Sequence, residues 1–114
     1  MAVFDIENVH LWDGVADPYL YSAAAVLPSG DAVAVNFGCR KIAFQPDTGF
    51  WLNGKNVRLV GAARHQDRAG LGNALTAAEH EEDMQILREM GANTVRLAHY
   101  QHAQYFYDLC DKCG

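Results

Sequence analysis

Two short polar clusters carry residue types suited to a hydroxylated ligand: Arg64-His65-Gln66-Asp67 and His99-Tyr100-Gln101-His102. A neutral histidine ring offers one donor and one acceptor, which matches the mixed character of a hydroxyl group. Each cluster follows a β-prone run. In α/β folds ligands gather beyond the carboxyl ends of strands, because strand ends are rigid and the loops there are free to vary. Neighbouring strands lie about 5 Å apart, so His65 and His99 can face one ligand together. On spacing alone the plainer reading, that both are surface-loop or satisfied core histidines, stays open.

Other groups are weaker candidates. His99-x-x-His102 has metal-pair spacing, but no third ligand of certain position accompanies it. The carboxylates of Glu79-His80-Glu81-Glu82-Asp83 fall in the first turns of a helix, where acidic side chains favour the dipole and face water. Cys39, Cys110 and Cys113 are odd in number, which argues against a disulfide framework. Cys110-x-x-Cys113 ends a helical run instead of opening one, so two buried thiols on an apolar face are expected, not a redox pair. Trp12, Trp51 and the tyrosines could stack on sugars, but aromatics in strands are usually core.

The elements that must position the histidines follow from the hydrophobic period, which changes between Ile42 and Phe50. Before the change, Tyr19 to Leu27 and Ala32 to Gly38 read as strands joined by Pro28-Ser29-Gly30-Asp31, with a further short strand from Cys39 to Phe44. So few strands cannot close a sandwich, so this half reads as the tail of an all-β domain. After the change, Asn53-Gly54 between apolar runs predicts a hairpin, and a strand is expected over Val57 to Ala62. Thr76-x-x-Glu79 opens a helix as a capping box, with Met84, Ile86, Leu87 and Met90 as its apolar residues and Gly91 as its stop. A second strand over Asn93 to Ala98 and a second helix over Ala103 to Cys113 complete the order of a parallel sheet. In that last helix Phe106, Leu109, Cys110 and Cys113 share one side.

The chain of 114 residues is half apolar and carries a formal net charge of -5 without any basic cluster. It can bury a core, and nothing in it provides the cationic footprint that nucleic acid requires. No run approaches the ~20 apolar residues of a membrane span. Met1 to Val15 holds Asp5, Glu7 and Asp13 without a basic start, unlike a secretion signal. A soluble piece of a cytoplasmic protein is therefore the expectation.

Several blocks then resemble a known family. Phe50-Trp-Leu-Asn-Gly-Lys55, Gly61-Ala-Ala-Arg-His-Gln-Asp67, Glu81-Glu-Asp-Met84, Met90-Gly-Ala-Asn-Thr-Val-Arg-Leu-Ala-His-Tyr100 and Tyr105-Phe-Tyr-Asp-Leu-Cys-Asp111 are similar, in order, to the consecutive motifs of glycoside hydrolase family 2. Trp12-Asp13, Asp17-Pro-Tyr-Leu-Tyr21 and Phe37-Gly-Cys-Arg-Lys-Ile42 resemble the end of the immunoglobulin-like domain that precedes the barrel there. Arg64-His-Gln-Asp67 with Gly70-Leu-Gly72 and Ala74-Leu75 looks more like the β-galactosidases than the β-glucuronidases. Two departures stand out. Ala62 and Ala63 replace the family's Val-Asn before Arg-His, and Gln101 replaces a proline after His-Tyr.

The resemblance implies an α+β internal fragment: residues 1–44 as the last strands of an immunoglobulin-like β-sandwich, and residues 45–114 as the first two β/α units of a (β/α)8 barrel. It implies a retaining β-galactosidase in which His65 and His99 line the galactose pocket and Arg64 and Asp67 support it. The two catalytic glutamates, set about 5 Å apart in a retaining enzyme, would lie on later strands. The chain alone is therefore expected to be inactive. Divalent-metal and sodium sites of the complete enzyme would also lie outside it, leaving no cofactor here. Its partners would be a β-galactoside and the rest of the barrel, in cis or in trans. A stand-alone carbohydrate-binding or structural β-module, or a complementing subunit of a split glycosidase, are the other readings.

Overall fold

The computed structural model of the chain describes residues 3–114. Met1 and Ala2, the start of the segment read as lacking a secretion signal, lie outside them. A single 3-10 turn, Gly14–Ala16, precedes an antiparallel hairpin of β1 (Tyr21–Val26) and β2 (Ala32–Phe37), in register from Tyr21 opposite Phe37 to Val26 opposite Ala32. The Pro28–Asp31 turn lies where the sequence places it. Leu27 N–H donates to Asp31 O and Gly30 N–H to Leu27 O.

A three-stranded antiparallel meander follows, of β3 (Ile42–Gln45), β4 (Gly49–Leu52) and β5 (Lys55–Asn56). The strand expected from Cys39 begins only at Ile42, and Cys39 instead makes a parallel bridge to Leu11. The Asn53-Gly54 hairpin is borne out: its residues have φ of 51° and 81°, the left-handed pair that a tight primed turn demands. β3 crosses the division expected after residue 44 and is joined to β4 by ladder hydrogen bonds.

The site depends on the third sheet, in which β6 (Gly61–Arg64) and β7 (Thr94–Leu97) pair in parallel through α1 (Ala77–Glu89), before α2 (Gln104–Cys113). The strand expected over Val57 to Ala62 sits further along, because Asn93 takes over the pairing of the stretch before it. Asn93 N–H donates to Val60 O at 2.9 Å, its Oδ1 accepts from Val60 N–H at 2.8 Å, and its Nδ2 donates to Arg58 O at 2.9 Å. Gly61 is required where this stitch hands over to the ladder, since a Cβ there would fall 1.8 Å from the Thr94 carbonyl oxygen.

Both ends of α1 are closed as the sequence predicts. Glu79 Oε2 accepts from the backbone N–H and the hydroxyl of Thr76. At the other end Gly91 N–H reaches Arg88 O and Ala92 N–H reaches Leu87 O, the Schellman arrangement that a left-handed Gly91, φ 72°, permits. Met84, Leu87 and Phe106 form the buried core, against Ala62, Val95, Leu97, Leu109, Cys110 and Cys113. Ile86 and Met90, expected on the apolar face, are 47% and 63% exposed; the buried stripe of α1 is narrower than its apolar count. The free Cys110 thiol is pushed up to about 11, chiefly by burial, in keeping with a packing role. None of the helices among the described residues is long and apolar enough to cross a membrane.

Trp12 clasps the N-terminal part to α2. Its indole N–H donates to Asp111 O at 2.8 Å, and Arg40 stacks 4.6 Å over its ring. Asn53 Nδ2 holds the same loop through Trp12 O and Asp13 Oδ1.

Candidate functional site

Side chains alternate across β6 and β7. Ala62, Arg64, Val95 and Leu97 turn to the helices, leaving Gly61, Ala63, Thr94 and Arg96 on the opposite, exposed face. His65 leaves β6 just after Arg64, and His99 follows β7 after the fully buried Ala98. Their rings meet edge to face, with centroids 5.3 Å apart at an interplanar angle of 73°. Both are exposed. Arg96 Nη2 donates to His99 Nδ1 at 3.0 Å, which places the ring hydrogen of neutral His99 on Nε2.

Gln66 ties the two loops together. Its backbone N–H donates to Tyr100 Oη at 3.1 Å, and its Oε1 accepts from the Ala103 N–H at the start of α2 at 2.7 Å. No role for Gln66 or Tyr100 is legible in the sequence pattern, although both sit inside the two polar clusters.

Arg64 is 7% exposed and lies behind the histidine pair, its guanidinium 3.9 Å above the Phe106 ring. Nε and Nη2 both donate to Asp83 Oδ2, at 2.9 and 2.7 Å. Nη2 also reaches His80 Nδ1, and Nη1 reaches His102 Nδ1, each at 3.0 Å. The arginine is thus satisfied by one carboxylate and two imidazoles, and none of the buried side-chain polar atoms among the described residues lacks a partner. Burial, with the Arg64 charge next, pulls His80 below the usual histidine range.

This corrects the reading of α1 as a wholly water-facing acidic turn. Glu79 closes the cap, Glu81 accepts from the Tyr105 hydroxyl, and Glu82 pairs with Arg68 at 2.6 Å. His80, 2% exposed, instead belongs to the interior, and Asp83 is half-buried against Arg64. His102, the second histidine of the metal-pair spacing, is also buried and bonded within this network. Asp67 is exposed and lines a shallow cavity of about 260 Å³ with His65, Asp83, Ile86 and Met90. A larger hollow of about 870 Å³, between α1 and α2, includes neither His65 nor His99. The chemistry of the strand ends, not the size of the hollow, marks the candidate site. No group of three or more His, Cys, Asp or Glu among the described residues could hold a metal ion.

Parallel strands joined by a helix, with polar side chains converging past their carboxyl ends, are the arrangement of α/β proteins, β/α barrels among them. The sequence model for "Glycosyl hydrolases family 2, TIM barrel domain" matches residues 45–114, and the chain belongs to that family. A β-glucuronidase of Bacteroides fragilis is 48% identical over 96% of this chain and 16% of its own length. A β-galactosidase of Thermoanaerobacterium thermosulfurigenes is 37% identical over 97% of this chain and 16% of its own. Among solved structures, an FMN-binding β-glucuronidase from Facaelibacterium prausnitzii superposes with a TM-score of 0.89 at 46% identity, over 94% of this chain and 17% of that one. A putative β-galactosidase from Bacteroides fragilis superposes with a TM-score of 0.93 at 41% identity, over 97% of this chain and 17% of that one. The chain therefore spans about a sixth of the length of these relatives.

Proposed function

We propose that these residues form the opening of the catalytic barrel, and one wall of the sugar pocket, in a retaining β-glycosidase. The observation that carries this reading is the meeting of His65 and His99 at the carboxyl end of the parallel β6–β7 pair. Two adjacent exposed imidazoles there can donate to and accept from neighbouring sugar hydroxyls, and can strengthen those bonds as charge develops on the ring. Arg64 supports the pair from behind and Asp67 stands at its rim. The acid/base and nucleophile are assigned to other barrel strands, since the α1 carboxylates are engaged by Thr76, Tyr105, Arg68 and Arg64. These residues alone are therefore proposed to be inactive, and the remainder of the barrel is their partner, in cis or in trans.

Residues 1–44 are proposed as the end of an immunoglobulin-like sandwich and residues 45–114 as the start of the barrel. No cofactor is proposed on these residues, and the metal sites implied by the family resemblance are assigned elsewhere in the enzyme. For the sugar, the relatives with the higher identities, 48% and 46%, are named as β-glucuronidases, and a terminal β-glucuronide is taken as the first substrate. A β-galactoside is the second reading, favoured by Gly70-Leu-Gly72 and Ala74-Leu75 beside the site.

The test is hydrolysis of aryl β-glucuronide and aryl β-galactoside by these 114 residues, alone and mixed with a fragment of a relative beginning at the third barrel strand. Activity only in the mixture supports the assignment, and the ratio of the two kcat/KM values chooses the sugar. Turnover by the chain alone would overturn the placement of the carboxylates. Inactivity of the whole enzyme on both glycosides would overturn the substrate reading.

A further inference from the structure

The geometry points to His102 as a positioning residue that locks the two sugar-binding histidines to one another; the inference rests on the reading of His65 and His99 given above. His102 is 4% exposed, and both of its ring nitrogens are in use. Nδ1 faces Arg64 Nη1 at 3.0 Å, and a guanidinium can only donate, so Nδ1 accepts. The hydrogen of the neutral ring therefore sits on Nε2, which faces Ala98 O at 3.3 Å and donates to it.

The two partners are the residues immediately before His65 and His99. Ala98 N–H in turn donates to Arg64 O at 2.8 Å. A closed circuit runs from Arg64 through the imidazole to Ala98 and back to Arg64, crossing from the end of β6 to the end of β7. Neither binding histidine belongs to it, yet the backbone of each leaves directly from it. Asp83 and His80 hold the Arg64 guanidinium from α1, so the imidazole meets a fixed donor. An arrangement that sets two rings within a fraction of an ångström is what a transition-state contact requires.

The experiment uses the full-length enzyme containing this chain. In His102→Ala the circuit opens, and kcat for the better aryl glycoside is expected to fall at least tenfold with KM changed less than threefold. His102→Asn, whose amide can accept from Arg64, is expected to recover part of the loss. Leu87→Ala, which opens the same core and removes none of the circuit's hydrogen bonds, controls for simple destabilisation and is expected to keep its kcat at a temperature where all three variants remain folded. A crystal structure of His102→Ala supplies a readout independent of turnover: the 5.3 Å separation of the His65 and His99 rings is expected to change by more than about 1 Å, the scale on which catalytic geometry fails. An unchanged separation, or equal losses of kcat in His102→Ala and Leu87→Ala, would overturn the inference. If the wild-type enzyme hydrolyses neither glycoside, the functional reading fails, while the crystal structure still decides whether His102 sets the ring geometry.

Discussion

His65 and His99 are exposed rings with no packing duty, so their replacement tests binding without a large cost in stability. His65→Ala and His99→Ala are each expected to lower kcat/KM of the full-length enzyme about 100-fold, the scale of one lost transition-state donor. Glu81→Gln, Glu82→Gln and Glu89→Gln should leave it within about threefold, the reference being the same steady-state assay. Asp83 is the opposite case, because removing it strands a guanidinium that is 7% exposed. Asp83→Ala is expected to weaken the local structure by about 1–3 kcal/mol, the cost of leaving a buried charged group without its hydrogen-bond partner, seen as faster hydrogen exchange at the β6 and α1 amides. His80 adds a pH term. Its folded pKa lies below its ordinary value of 6.5, so on acidification the unfolded form takes up a proton first. The stability contributed by neutral His80 is complete above that value and is lost as pH falls through the lower folded one. Protection of the α1 amides should decline below about pH 6, and His80→Gln should shift or remove that decline.

At the scale of elements, the caps and the core set what holds the histidines in place. Thr76→Ala removes half of the capping box and is expected to cost about 1 kcal/mol, read as increased exchange in the first turn of α1 with the last turn unaffected. Boundaries that rest on local chemistry were legible: the Asn53-Gly54 turn, the Thr76/Glu79 cap, the Gly91 stop, and the single apolar side of α2. What local pattern could not reveal depends on partners distant in the chain. Val57 to Val60 looks like a strand by composition, but Asn93 meets its backbone from more than thirty residues away. Ile86 and Met90 keep helical spacing, yet only Met84 and Leu87 find the sheet. The meeting of His65 with His99 was readable because each follows its own strand. The buried Arg64–Asp83–His80–His102 network was not, because its members are polar residues that sequence reasoning sends to the surface.

For the molecule as a whole, the β1–β2 hairpin has Val26, Val33 and Val35 more than half exposed, and Ile42 and Phe44 of the meander are equally open. Exposed valines on an unpaired sheet edge invite association with other chains. The 114 residues by themselves are expected to self-associate with rising concentration, measurable by light scattering, and the complementing barrel fragment should not suppress the share that comes from β1–β2. The Trp12 clasp adds a constraint of order in time. Its hydrogen bond to Asp111 spans 99 positions of the chain, so during synthesis it is the last of these contacts that can form. Until α2 has left the ribosome, the strand-rich N-terminal part is held through its ladder to β4 and through Asn53 and Lys55 on the Trp12–Asp13 loop, without a contact to α2. Once Asp111 arrives, the indole hydrogen bond adds α2 to that attachment, so the second helix docks on an N-terminal part that is already in place.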